Sequence, residues 1–99
     1  MLFVLNKAFD LAKLETYLSR ISPNGTILLI EDAVYTVKSN SQSATVIANY
    51  LPHITVCAIA PDLMLRGINE EEVLDGVILV DYDGFVDLTV KSEGLQFWF

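Results

Sequence analysis

Thr26-Ile27-Leu28-Leu29-Ile30, followed at once by Glu31-Asp32, is the stretch on which the fold class turns. An unbroken apolar run of this length, stopped by charged residues, reads as a strand buried on both faces, and such strands belong to parallel sheets. Two later segments repeat the pattern. Ile54 to Ala60 runs into Pro61-Asp62, and Val77 to Val80 runs into Asp81-Tyr82-Asp83. A shorter run, Leu2 to Leu5, opens the chain. The expected fold is therefore α/β: a single small domain over residues 1–99 with an open, mainly parallel four-stranded sheet and flanking helices.

The stretches between these runs have helical marks. Asp10 is placed to cap a helix with Leu11, Leu14, Tyr17, Leu18 and Ile21 on one face, and Ser22-Pro23-Asn24-Gly25 stops it. Lys38 to Gln42 is polar and reads as a loop, after which Ser43 can cap a short helix with Ala44, Ile47, Ala48 and Leu51 inward. Pro61 to Gly67 has proline at its start and glycine at its end, as a helix of one or two turns does. Asn69 before Glu70-Glu71-Glu72 reads as a cap with acids in the first turn of a helix that Gly76 ends. Phe85 to Lys91 carries two periods: Val86, Leu88 and Val90 alternate like a strand, while Phe85 with Leu88 and Val86 with Val90 pair at helical spacing. The helix is preferred. With four strands in sequential order, right-handed crossovers put the three intervening helices on one face. The other face is left to the last segment and the aromatic tail Phe97-Trp98-Phe99.

Composition points to contacts with other proteins. Hydrophobic residues make up 53% of 99 residues, while a chain of this size buries only roughly 65% of its unfolded surface. An apolar patch covered by a partner is expected. No apolar stretch approaches the roughly 20 residues needed to span a bilayer. The net charge of −7 disfavours direct contact with nucleic acid, which is driven by basic side chains. Met1-Leu2-Phe3-Val4-Leu5 has no basic lead-in or cleavage site of the signal-peptide kind, and one cysteine allows no internal disulfide. A cytoplasmic protein is the expectation.

The carboxyl edge of such a sheet is where chemistry usually sits, and here it is poorly armed. Cys57 is the one side chain able to carry sulfur covalently, yet it lies inside Ile54 to Ile59 without a cationic neighbour except His53, four residues back. A buried structural thiol is the expectation. His53, alone and on the strand's entry side, has no zinc-type spacing around it and reads as a loop residue. Asp32, Asp62 and Asp81 converge at the carboxyl edge if the strands lie as drawn, which would suit Mg²⁺ or a phosphoacceptor; carboxylates capping the following turns are the default. The five glycines are isolated and form no phosphate loop, so no cofactor is expected.

Three stretches together resemble a known family. Leu28-Leu29-Ile30-Glu31-Asp32-Ala33-Val34 is similar to its second-strand pattern, and Val56-Cys57-Ala58-Ile59 with Asp62-Leu63 and Arg66-Gly67-Ile68 to its third-strand block. Ile78-Leu79-Val80-Asp81-Tyr82 with Phe85 to Lys91 and Trp98 resembles its closing signature. This is the TusB/DsrH family of the sulfur-relay DsrE/DsrF/DsrH proteins. The resemblance implies a DsrEFH-like α/β subunit that joins TusC/DsrF-like and TusD/DsrE-like subunits in a heterohexamer with two copies of each. In the tRNA-modifying branch it implies relay of persulfide sulfur from a TusA-like donor towards TusE and the enzyme that makes 2-thiouridine at the wobble position. The principal sulfur-carrying cysteine of the family belongs to the TusD/DsrE-like subunit. Some DsrH members carry a cysteine of their own early in the chain, but here none precedes Cys57, and no carrier role is transferred to it.

The expectation is thus a largely structural, TusB-like relay subunit with no catalytic residue of its own. The assembly interface is expected at Asp32, Tyr82, Phe85, Phe97 and Trp98, since aromatic anchors dominate interfaces. In isolation the same surface can serve a homodimer. The alternatives are a self-sufficient persulfide sulfurtransferase using Cys57 and a carboxylate-based Mg²⁺ module.

Overall fold

A computed structural model describes residues 1–98. Five strands, β1 (Leu2–Leu5), β2 (Thr26–Leu29), β3 (Thr55–Ile59), β4 (Ile78–Val80) and β5 (Leu95–Trp98), form one sheet in the order β4-β3-β2-β1-β5, every pair parallel. The expected α/β class holds, but the sheet has five strands where four were expected. The C-terminal tail is the fifth, paired with β1 from Leu2–Leu95 to Leu5–Trp98. Its presence explains the fully apolar β1. All four residues of β1 are buried because β5 makes β1 an interior strand. Phe99 lies outside the described residues.

Helices α1 (Leu11–Ser19), α2 (Gln42–Tyr50) and α3 (Ala60–Leu65) lie in the successive crossovers, and α4 (Tyr82–Lys91) leads from β4 to β5. The first three crossovers all step in one direction, so right-handedness puts them on one face. The last returns across the whole sheet, which sends α4 over the other. Packing follows this division. Phe3, Leu5, Ile27, Leu29, Val56, Ala58 and Trp98 cluster with Leu14, Leu18 and Ile47 of α1 and α2. Leu2, Val4, Leu28, Cys57 and Ile59 form a separate, smaller cluster with Phe85 and Leu88 of α4. Each buried aliphatic side chain contributes about 1.5–3 kcal/mol.

Local chemistry sets the helix ends. Asp10 Oδ1 accepts from the Lys13 amide at 2.8 Å, capping α1 as its position suggests. The cap of α2 is Ser41, not Ser43: Ser41 Oγ accepts from the Ala44 amide at 3.1 Å. Ser43 sits in the first turn and donates to the Thr36 carbonyl at 2.9 Å. After α3, Gly67 takes φ +71, the left-handed turn that favours glycine. The expected helix after Asn69 is a single 3-10 turn, Glu70–Glu72. The Asn69 amide donates to Glu72 Oε1 at 3.0 Å, and the chain then leaves in extended form because Val73 bridges Lys38 and the Leu74 amide donates to the Val37 carbonyl at 2.8 Å. The ambiguous segment from Phe85 is helical, within α4; Asp81 Oδ1 accepts from the Gly84 amide at 2.7 Å.

Candidate functional site

Two features merit weighing as sites: the carboxyl edge of the sheet and the face under α4. At the edge, Asp62 begins α3 and is buried, and its Oδ2 accepts from the Glu31 amide at 2.7 Å. Glu31 stands just past β2 with φ +51, a left-handed conformation that costs a non-glycine residue roughly 1–2 kcal/mol. The Asp62 carboxylate holds it there. Arg66 Nε donates to Asp32 Oδ1 at 2.9 Å and its Nη1 to the Asp62 carbonyl at 3.2 Å. Asp81 caps α4.

Each of the three aspartates is therefore engaged in a different local task, and the expected convergence does not occur. Among the described residues, no group of three or more His, Cys, Asp or Glu side chains is placed to hold a metal ion. The edge organises the 3-10 helix Glu31–Val37 against α3.

Cys57 is 2% exposed in the smaller cluster under α4. Burial pushes its thiol above the ordinary value, opposite to what a nucleophile needs. His53 is an exposed loop residue; its amide donates to the Tyr50 carbonyl at 2.9 Å, and its carbonyl accepts from the Asn24 amide at 2.7 Å. On α1 and α2, Tyr50 Oη donates to Glu15 Oε1 at 2.6 Å. That hydrogen bond is the main reason the phenol stands above its ordinary value, with burial and the carboxylate's charge adding to it.

The face under α4 is only partly closed. The strand register lines up Phe97, Val4, Leu28, Cys57 and Ile78 as one row across the sheet. The middle three are buried, while Phe97 is 48% and Ile78 51% exposed. One ten-residue helix covers the centre of the row and leaves its ends open. On α4 itself, Phe85 and Leu88 pack inward, whereas Tyr82, Val86 and Val90, spaced four apart, are all exposed. Residues four apart share a helix face. The result is an apolar stripe facing outward.

The five residues expected at an interface fall in three places. Tyr82, Phe85 and Phe97 belong to the α4 side of the sheet, Tyr82 exposed and Phe85 half-buried. Asp32 sits at the carboxyl edge, paired with Arg66. Trp98 points the other way and is 8% exposed. Its ring stacks on Tyr17 of α1 with centroids 4.5 Å apart, and lies 4.5 Å from Phe3. Phe9 meets Tyr17 edge-on at 5.1 Å, with Lys13 Nζ 4.8 Å above the Phe9 ring. The exposed pair Val86 and Val90 was not singled out as a surface by the sequence reading. Their spacing was visible there, but as evidence for helix rather than for a stripe.

The model of the family described as DsrH like protein matches residues 8–94. Protein TusB of Escherichia coli strain K12 is 30% identical over 98 residues, covering 99% of this chain and 100% of that protein. Protein TusB of Yersinia enterocolitica is 29% identical with the same coverage. Among solved structures, protein MTH1491 of Methanobacterium thermoautotrophicum superposes with a TM-score of 0.81 at 14% identity, over 98% of this chain and 96% of that one. The ychN protein of E. coli gives 0.73 at 12% identity, covering 98% of this chain and 97% of that one. These structural likenesses establish a shared fold.

Proposed function

This chain belongs to the DsrH-like family of sulfur-relay proteins, and from that premise we propose that it is a largely structural, TusB-like subunit of a sulfurtransferase complex supporting 2-thiolation of the tRNA wobble uridine. The observation that carries the reading is Cys57. The chain's single thiol is 2% exposed, lies under α4, and is pushed by burial away from the thiolate form. A relay needs an accessible thiolate, so the reactive sulfur resides on another subunit.

In this reading TusC/DsrF-like and TusD/DsrE-like chains assemble with it in the cytoplasm as a heterohexamer. Tyr82, Phe85 and Phe97, with the neighbouring Val86 and Val90, supply the contact surface on the α4 side, and Asp32 a polar contact at its margin. Trp98 supports that surface from behind by fixing β5 to α1. The open ends of the apolar row are what such partners would cover. In the absence of partners, a second copy of the chain would dock there.

Co-expression with the TusC- and TusD-like chains of the same genome tests the proposal. The expected result is a stable complex that restores 2-thiouridine in a strain lacking its own TusB, with Cys57→Ser as active as the parent. Failure to co-elute would overturn the assembly role. Loss of thiolation in Cys57→Ser, with the complex intact, would overturn the structural role and give the reaction to this thiol.

A further inference from the structure

A groove of about 400 Å³ opens between α3 and residues 67–71, away from the α4 surface. Leu63, Met64, Ile68 and Leu79 give it apolar walls, and Glu70 and Glu71 line it as well. Leu79 belongs to β4, the outermost strand on this side of the sheet. Among the described residues, the outer edge of β4 has no strand paired to it, and such an edge is a template for an added strand. Nearby apolar residues are open to solvent: Met64 and Leu65 are each 79% exposed and Ile78 is 51% exposed.

Charge identifies the occupant. No lysine or arginine lines the groove. Among the described residues the single ion pair joins Arg66 to Asp32, leaving Glu70 and Glu71 without cationic partners. A phosphate-bearing ligand is repelled by such a rim, in a chain of net charge −7. A peptide with an apolar anchor and basic flanks meets both the walls and the rim.

We propose that this groove receives an extended, basic segment of a partner protein. The segment seats one apolar side chain between α3 and residues 67–71, sets lysine or arginine against Glu70 and Glu71, and runs its backbone along β4 as a sixth strand. This docking site is separate from the α4 stripe and does not depend on the assembly proposed above.

Selection of random peptides displayed on phage against the full chain provides the probe. Enriched sequences are expected to combine an aliphatic or aromatic residue with flanking Lys or Arg. The best synthetic peptide, followed by fluorescence anisotropy, is expected to weaken about tenfold on Glu70→Lys plus Glu71→Lys and to weaken with added salt. Met64→Ser weakens it through the anchor, whereas Val86→Asp on the α4 stripe leaves it unchanged. Enrichment of neutral or acidic peptides, no enrichment at all, or binding that survives the double charge reversal would overturn the proposal. Failure of the α4-side assembly with this binding intact would count against the subunit role alone.

Discussion

The two faces of the sheet are built from the same strands and finished differently. On one, Trp98, Leu5, Leu29 and Ala58 align across four strands and are all buried beneath the layer that holds α1 and α2. On the other, the matching row ends in two half-exposed residues, Phe97 and Ile78, because α4 alone lies over it. A closed face is a core, and its residues answer to packing. An open one with an apolar helix stripe is a surface left for another chain. Strand alternation alone sends neighbouring Phe97 and Trp98 to these two fates.

The strongest way to break the comparison is at the seal of the closed face. Trp98→Ala removes the ring that bridges Phe3 and Tyr17, and is expected to cost about 3–5 kcal/mol in urea unfolding. A loss under about 1 kcal/mol would mean that β5 is not held from that side. Next come the adjacent residues Leu29 and Leu28, both 0% exposed but on opposite faces. Each Leu→Ala change is expected to cost about 2–5 kcal/mol, with Leu29→Ala the more damaging, since a single helix settles into a void more readily than a layer of packed helices. Equal losses would erase the energetic difference between the faces.

The thiol gives a smaller, pH-dependent effect. Because burial raises the folded-state value of Cys57 above its ordinary 9.0, its contribution to stability is fully present below the unfolded value. It is lost as pH rises from there through the folded value. The urea midpoint is expected to fall across that alkaline window, and less so in Cys57→Ala. Alkylation at pH 8 should be slow in the native protein and fast in urea. Rapid native alkylation would show that α4 does not close over the thiol. Smallest in stability is Val86→Asp on the open stripe, expected within about 0.5 kcal/mol of the parent. Its effect should appear instead as lost co-elution with the partner chains, and unchanged assembly would move the interface elsewhere.

Much of the framework was legible in the residues, and the failures share a cause. The runs at Thr26, Ile54 and Val77 were readable because a strand buried on both faces needs no tertiary knowledge to be recognised. Likewise Asp10 and Asp81 mark helix starts through a hydrogen bond spanning three residues. Leu95 to Trp98 was not readable as β5, since four residues at the end of a chain carry too little pattern. Their pairing with β1 spans more than ninety positions. The helix expected after Asn69 failed similarly: its cap forms, but the distant bridge from Val73 to Lys38 ends it after one turn.

Sequence by itself determined the α/β class, the parallel strands and the burial of Cys57, because apolar periodicity and local capping are written in neighbouring residues. Tertiary structure alone decided that the tail joins the sheet, that three aspartates in similar positions serve three separate tasks, and that Tyr82, Val86 and Val90 face outward. Those outcomes depend on which distant backbone completes a hydrogen-bonded edge and on how far one returning helix can reach across five strands.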